Sequence, residues 1–169
     1  MTAYVFAPRL QPSIAVHGRA ERFPVHRIYC VGRNFADHAR EMGVEAPKGT
    51  PVFFMKPADA VIQSTAIPYP GATADLHHEV ELVVALGRAA RRVGVDRAWD
   101  HVAGLMVGQD ISDRAVQMRP PAQWSLAKSF TGFGPTGPVL VTAGDVPDRD
   151  DLELGCSVNG EEVQKARTS

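Results

Sequence analysis

Apolar and polar residues alternate along much of this chain in short runs, which is the pattern of β-strands rather than of long helices. The clearest run is at the carboxyl end, where every second residue is apolar and Asn159-Gly160 then offers a type I′ hairpin turn. Its apolar positions are Leu152, Leu154, Cys156 and Val158. Other extended or apolar runs cover 4–7, 13–16, 27–31, 52–55, 77–86, 103–107 and 139–141.

Three short helices are predicted between these runs. One covers 35–42, with Asn34 as its N-cap and Gly43 at its end, a second covers 97–102, and a third covers 113–118 after Ser112 as N-cap. The glycine-rich and proline-rich segment 132–138 is interpreted as a structural turn. With 13 prolines and 15 glycines dividing the chain, the sequence predicts a mixed, β-rich α+β fold with short helices.

Length and charge limit the classes of function. The 169 residues fit one domain, and a formal net charge of -1 gives no electrostatic attraction for nucleic acid or an anionic membrane. No apolar stretch is long enough to span a bilayer, and the first residues lack the features of a signal peptide, so we predict a cytoplasmic protein. Cys30 and Cys156 are too few for a zinc ribbon or a disulfide framework, and we expect both to pack as small apolar side chains.

Two glutamates, Glu79 and Glu81, interrupt the apolar run 77–86. Side chains alternate faces along a strand, so the two carboxylates are expected on one face, together with Val83 and Ala85. Adjacent like charges on a partly apolar face need a positive partner, because an unpaired buried charge is unfavourable by several kcal/mol. A divalent cation is the simplest candidate. The alternative is a strand that emerges into water with both glutamates solvated.

Asp110 follows the apolar run 103–107 and would add a third carboxylate to Glu79 and Glu81. Ligation by oxygen alone suits a hard cation such as Mg²⁺ or Mn²⁺. His77 lies on the glutamate face, so an iron site with two histidines and one carboxylate is a lower-ranked rival. The alternative for Asp110 is an ordinary turn or cap residue.

His38 and Glu41 are three residues apart on the predicted helix 35–42, where they can hydrogen-bond. A carboxylate beside an imidazole orients the ring and raises its basicity, which makes His38 a candidate general base for activating water. The alternative is an exposed, charged helix face.

Several cations could hold an anionic substrate: Arg33, Lys56, Arg114 and Lys128. Arg114 and Gln117 share a helical face, which suits a bidentate grip on a carboxylate plus one amide contact. Lys128 is flanked by apolar residues, so its ammonium group needs a partner or must reach water. Surface salt bridging is the alternative for each cation.

Taken together, six segments in this order resemble the fumarylacetoacetate hydrolase family. The segments are IYCVGRNFADHAREMG, FFMKPADAV, IPYP followed by LHHEVELVVALG, GQDISDR, WSLAKSF and LELGCSVNGEEVQ. The resemblance implies a mixed β-roll, usually dimeric, so a homodimer is expected. The resemblance begins at about Phe23 and implies that 23–169 form a catalytic domain without its C-terminal strands, whereas the two short extended pieces before it are interpreted as an N-terminal arm, 1–22.

The resemblance further implies roles for individual residues. Glu79, Glu81 and Asp110 would bind Mg²⁺ or Mn²⁺, with Ca²⁺ as a further candidate. His38 and Glu41 would activate water, and Lys128 would stabilise an oxyanion. The substrate pocket would contain Arg114, Gln117 and Lys128, and we also assign Arg33 to it.

The reaction implied is hydrolysis of a carbon–carbon bond in a 2,4-dioxo acid (a 1,3-dioxo compound), with release of pyruvate and a carboxylic acid. The first motif most resembles bacterial fumarylpyruvate hydrolases of aromatic compound degradation, which favours fumarylpyruvate or another acylpyruvate. Two alternatives remain: an oxaloacetate decarboxylase or 2-oxo acid isomerase with the same metal site, and a non-catalytic domain that only binds metal.

Overall fold

The structure is a computed structural model, and it describes residues 2–32, 34 and 50–169. The predicted helix 35–42 lies outside these residues. The strands within them, in chain order, are β1 Ser13–Ala15, β2 Arg22–Pro24, β3 Ile28–Gly32, β4 Val52–Lys56, β5 Val61–Ile62, β6 Leu76–His77, β7 Val80–Leu86, β8 Val102–Gln109, β9 Ser112–Asp113, β10 Gly134–Thr142, β11 Glu153–Val158 and β12 Glu161–Arg167. The helices are α1 Arg114–Met118, α2 Trp124–Ala127 and 3₁₀ turns at Ala58–Ala60 and Val95–His101.

The largest sheet has the strand order β5-β10-β8-β7. Strand β8 lies inside it and pairs antiparallel with both β7 and β10, whereas β5 runs parallel to β10. The other strands form antiparallel pairs: β1 with β2, β3 with β4, β6 with β9 and β11 with β12. The β-rich α+β fold predicted from the alternating pattern is confirmed.

The main apolar core lies where the N-terminal segment meets this sheet. Its buried residues are Ile14, Val25, Ala85, Met106 and Leu140. Ile14 is 1 % exposed, and the neighbouring Val16 forms a parallel bridge with Leu140 of β10. The segment predicted as an arm therefore contributes a side chain to the core.

The local signals at the carboxyl end were sufficient to predict its structure. Strands β11 and β12 pair over their whole length, and the turn residues Asn159 and Gly160 have φ angles of 53° and 88°. Positive φ at both positions is what a type I′ turn requires. The predicted strand at 139–141 is also confirmed as part of β10.

The helix expected at 97–102 is present as a 3₁₀ helix, Val95–His101, and residues 4–7, expected to be extended, form no strand. Two predictions of local structure were wrong. The segment 132–138 is not simply a turn, because β10 begins at Gly134 and its ladder with β8 continues past an irregularity. The N-cap of α1 is Asp113 rather than Ser112, because the Asp113 side chain accepts a hydrogen bond from the Val116 amide.

No helix in the described ranges combines the length and the apolar character needed to cross a membrane.

Candidate active site

The pairing of β7 with β8 brings two acidic residues side by side. Val80, the first residue of β7, lies opposite Gln109, the last residue of β8. One step beyond this pair, the Asp110 amide donates to the Glu79 carbonyl at 2.8 Å. Glu79 therefore lies just before β7 rather than within it, and both acidic residues are buried, at 7 % and 8 % exposure.

Lys128, at the end of α2, lies between these carboxylates. Its Nζ is 2.7 Å from Glu79 Oε2, 2.7 Å from Asp110 Oδ2 and 2.6 Å from Ser112 Oγ, and the residue is 1 % exposed. An ammonium group has three N–H donors, so the three contacts use all of them. The site thus holds a fixed positive charge between two buried negative charges.

A second buried lysine, Lys56 at the end of β4, supports the same site. Its Nζ donates to the carbonyl oxygens of Ile111 at 3.1 Å, Lys128 at 2.5 Å and Phe133 at 2.8 Å. Asp110 Oδ1 is also 2.8 Å away, as an ion pair. Since the carbonyls use the three N–H groups, Asp110 Oδ1 accepts no hydrogen bond from the described residues. Burial lowers the pKa of Lys56, and the negative charge of Asp110 opposes this shift.

Arg114 and Gln117 of α1 contact each other and the acidic pair. Arg114 Nη2 lies 2.5 Å from Glu79 Oε1, and Nη1 donates to Gln117 Oε1. The Asp113 side chain fixes the start of this short helix through the Val116 amide. Arg114 Nε is buried and has no acceptor among the described residues, so one donor of the guanidinium group remains available to a ligand.

Glu81 is half-buried on β7, opposite Gly108 of β8. Its charge acts on Cys30 of β3: burial raises the pKa of this thiol to about 12, and the charges of Asp110 and Glu81 contribute in the same direction. Lys56 and Lys128 oppose them. The same thiol therefore lies within electrostatic range of Glu81, Asp110 and both lysines.

His77 is exposed on β6, with Nε2 3.0 Å from Asp75 Oδ1, an arrangement that does not favour the rival iron site. Arg33, His38 and Glu41 lie outside the described residues. The sequence indicated Lys56 only as one of four cations that could hold an anionic substrate, and it gave Ser112 only a role as a helix cap. The available signal for Lys56 was a lysine at the end of an apolar strand, immediately before a proline.

The carboxylates of this site are candidate ligands of a divalent cation. Within residues 2–32, 34 and 50–169, no three His, Cys, Asp or Glu side chains are grouped closely enough to hold a metal ion. The donor set nevertheless fits a hard cation, because carboxylate oxygens are its preferred ligands and each carboxylate has about four lone-pair sites. The oxygen Asp110 Oδ1 meets its ion-pair partner Lys56 at 2.8 Å but accepts no hydrogen bond from the described residues, so it could also face a cation.

The fold and this buried, charged site define a family. Residues 27–169 match the family model described as fumarylacetoacetate (FAA) hydrolase C-terminal. The chain belongs to the fumarylacetoacetate hydrolase family, as the six motifs predicted.

Two solved structures and one curated relative illustrate the range of similar proteins. The fumarylpyruvate hydrolase from Pseudomonas aeruginosa, in complex with Mn²⁺ and pyruvate, is 38 % identical with a TM-score of 0.91, over 98 % of this chain and 74 % of that one. A 5-carboxymethyl-2-hydroxymuconate delta-isomerase from Mycobacterium smegmatis is 32 % identical with a TM-score of 0.73, over 93 % and 55 %. The mitochondrial oxaloacetate tautomerase FAHD2A of Bos taurus is 41 % identical over 85 % of this chain and 46 % of its own length. The chain spans about half the length of such curated relatives.

Proposed function

We propose that this chain carries the metal-binding and substrate-binding part of an enzyme that hydrolyses a carbon–carbon bond in a 2,4-dioxo acid. Fumarylpyruvate or another acylpyruvate is the proposed substrate, and pyruvate and a carboxylic acid are the proposed products. The observation that carries the proposal is the buried Lys128 ammonium group between Glu79 and Asp110. The similarity to a fumarylpyruvate hydrolase in complex with Mn²⁺ and pyruvate supports it.

The proposed ligands of a divalent cation, Mg²⁺ or Mn²⁺, are Glu79, Glu81 and Asp110. Such a cation would supply Lewis acidity beside the 2-oxo acid end of the substrate. Arg114 Nε is the buried donor without an acceptor among the described residues, so it is suited to bind the substrate carboxylate. Gln117 holds the Arg114 guanidinium group in place through Nη1.

Lys128 stabilises the negative charge that develops on a carbonyl oxygen of the substrate. Its three donors are all engaged, so a substrate oxygen must replace one acceptor. Ser112 Oγ is the acceptor that is released at least cost, because it is neutral, whereas Glu79 and Asp110 are charged. Lys128 can therefore turn toward the substrate while both of its ion pairs persist.

His38, oriented by Glu41, is the proposed base that takes a proton from water. The hydroxide oxygen adds to the distal carbonyl carbon, and the bond from that carbon to the methylene carbon breaks. The electron pair stays on the methylene carbon, which then takes up a proton to complete pyruvate. The proposed setting is the degradation of aromatic compounds in the cytoplasm, by a homodimer.

A second candidate function is supported by the relatives named oxaloacetate tautomerases, of which FAHD2A and FAHD1 of Bos taurus are 41 % and 42 % identical to this chain. Tautomerisation, isomerisation or decarboxylation of a 2-oxo acid needs the same cation and the same cationic side chains. Decarboxylation needs no activated water. His38→Ala should therefore abolish hydrolysis but spare decarboxylation.

The test is a pyruvate-release assay with the full chain, checked by intact mass. Fumarylpyruvate, acetylpyruvate and oxaloacetate are supplied in turn, with Mn²⁺ or with EDTA. We expect hydrolysis of an acylpyruvate that is lost in EDTA and in His38→Ala and is retained in Lys165→Met, which changes an exposed lysine. Activity that persists in EDTA contradicts the proposed mechanism, and release of pyruvate from oxaloacetate alone favours the decarboxylase of the second candidate.

A further inference from the structure

The β11–β12 hairpin is attached to the beginning of β7 through one side chain, Gln164. Its Oε1 accepts a hydrogen bond from the Val80 amide at 3.0 Å and lies 3.1 Å from His78 Nδ1. A backbone amide can only donate, so the atom facing it must be the oxygen of the Gln164 amide. His78 must then carry its proton on Nδ1. These two contacts flank Glu79.

A second glutamine links the same hairpin to β8. Gln109 Nε2 donates to Cys156 Sγ at 3.6 Å, and Cys156 lies opposite Gln164 in the β11–β12 ladder. Gln109 itself lies opposite Val80. The hairpin therefore contacts both strand ends that carry the buried carboxylates.

Glu79 lies in a short link between two sheets, because β6 ends at His77 and β7 begins at Val80. Within this link the Glu79 carbonyl accepts from Asp110, while Gln164 binds the residues on either side of Glu79. Fixing the backbone on both sides of a residue restricts the direction of its side chain. Hydrogen bonds that orient a metal ligand without touching the metal commonly set the affinity of a metal site.

We propose that Gln164 is a positioning residue that holds Glu79 in the direction needed for cation binding. It acts through the Val80 amide and the His78 ring and does not touch the cation or the substrate. The link to cation binding rests on the proposed function, whereas the effect on the backbone does not.

The test compares three variants of the full chain. Gln164→Leu removes the acceptor at nearly constant size, and Gln164→Glu keeps an acceptor oxygen. Arg167→Gln is the matched control, because Arg167 lies on the same strand and binds Asp151 and Glu153 within the hairpin region. The two measurements are amide hydrogen exchange at Val80 and Asp110, and Mn²⁺ affinity by calorimetry.

In Gln164→Leu we expect exchange at Val80 and Asp110 to become about tenfold faster, as for the loss of a partly buried hydrogen bond. Mn²⁺ affinity should fall by about tenfold. Gln164→Glu should remain within about threefold of the original chain in both measurements, and Arg167→Gln within about twofold.

Two results would overturn the proposal. One is unchanged amide exchange and Mn²⁺ affinity in Gln164→Leu. The other is an equal effect in Arg167→Gln, which would mean that Gln164 only contributes to the general stability of the hairpin. If the original chain takes up no Mn²⁺, the proposed metal-dependent function fails. Amide exchange at Val80 and Asp110 still decides the positioning role in that case.

Discussion

Replacing Lys128 with methionine tests the charge balance of the site directly. The substitution keeps an unbranched side chain of similar length beside the Phe54 ring, which lies 5.1 Å from the Lys128 ammonium group. It removes the positive charge and the three N–H donors that Glu79, Asp110 and Ser112 accept. The expected change is a large loss of stability with little change in packing.

The size of the loss follows from what remains around each carboxylate. Breaking a buried ion pair by removing one partner generally destabilises a protein by about 3–5 kcal/mol. Here Glu79 keeps Arg114 at 2.5 Å and Asp110 keeps Lys56 at 2.8 Å. Because each carboxylate retains one cation, we expect the lower end of that range, about 3 kcal/mol.

The assay is urea unfolding at pH 7 with EDTA present, followed by circular dichroism. The control is Lys165→Met, whose lysine is 51 % exposed with carboxylates 3.4 and 3.7 Å away, and which should lose at most about 1 kcal/mol. If Lys128→Met loses no more than this control, the carboxylates do not depend on Lys128 and the reasoning is refuted.

Two further substitutions test the packing of the sheet and the state of a buried thiol. In Gly104→Ala the new Cβ would lie 2.2 Å from the Val141 carbonyl oxygen of the neighbouring strand, so the free energy of unfolding in urea should fall by about 1–3 kcal/mol. The control is Gly144→Ala, whose new Cβ has nothing within 4 Å and which should change that free energy by no more than about 1 kcal/mol. Equal effects of the two substitutions would contradict the close contact at Gly104. The pKa of Cys30 is raised from 9.0 to about 12, so its thiolate fraction at pH 8 should be about a thousandfold lower than in the unfolded chain. Iodoacetamide reacts with the thiolate, so labelling of Cys30 should be correspondingly slow in the folded protein, as measured by peptide mass mapping. The thiol of the unfolded chain ionises at lower pH, so the free energy of unfolding should fall as the pH rises from about 9 toward 12, and Cys30→Ala should remove this contribution to the pH dependence. Equal labelling of Cys30 in folded and unfolded protein would refute the raised pKa.

The parts of the fold that could be predicted from the sequence are those set by local signals. The alternation at 152–158 and the Asn159-Gly160 turn identify a hairpin without any tertiary information. The beginning of β10 could not be predicted, because glycine and proline at 134–138 are turn residues by local preference. That segment is a strand because β5 and β8 pair with it from both sides.

The candidate site, too, could be predicted from the sequence only in part. The acidic residues could be identified because they stand at the ends of apolar strands, where a charge is conspicuous. Their partners could not be assigned, because Lys56 and Lys128 come from β4 and α2, which are remote in sequence from Glu79. A divalent cation was the simplest positive partner expected for the glutamates, whereas in the structure lysine and arginine side chains contact Glu79 and lysines contact Asp110.

The group of buried charged side chains at this site is poorly explained by a contribution to the stability of the fold. Glu79, Asp110, Lys56 and Lys128 are each less than 9 % exposed. Burying such groups has a desolvation cost, and replacing buried ion pairs by well-packed apolar side chains is often neutral or stabilising. An apolar cluster of equal volume would therefore hold β4, β7, β8 and α2 together at least as well. The buried charges, with a guanidinium donor that has no acceptor among the described residues, agree better with the proposed function, in which the site must bind and stabilise an anion.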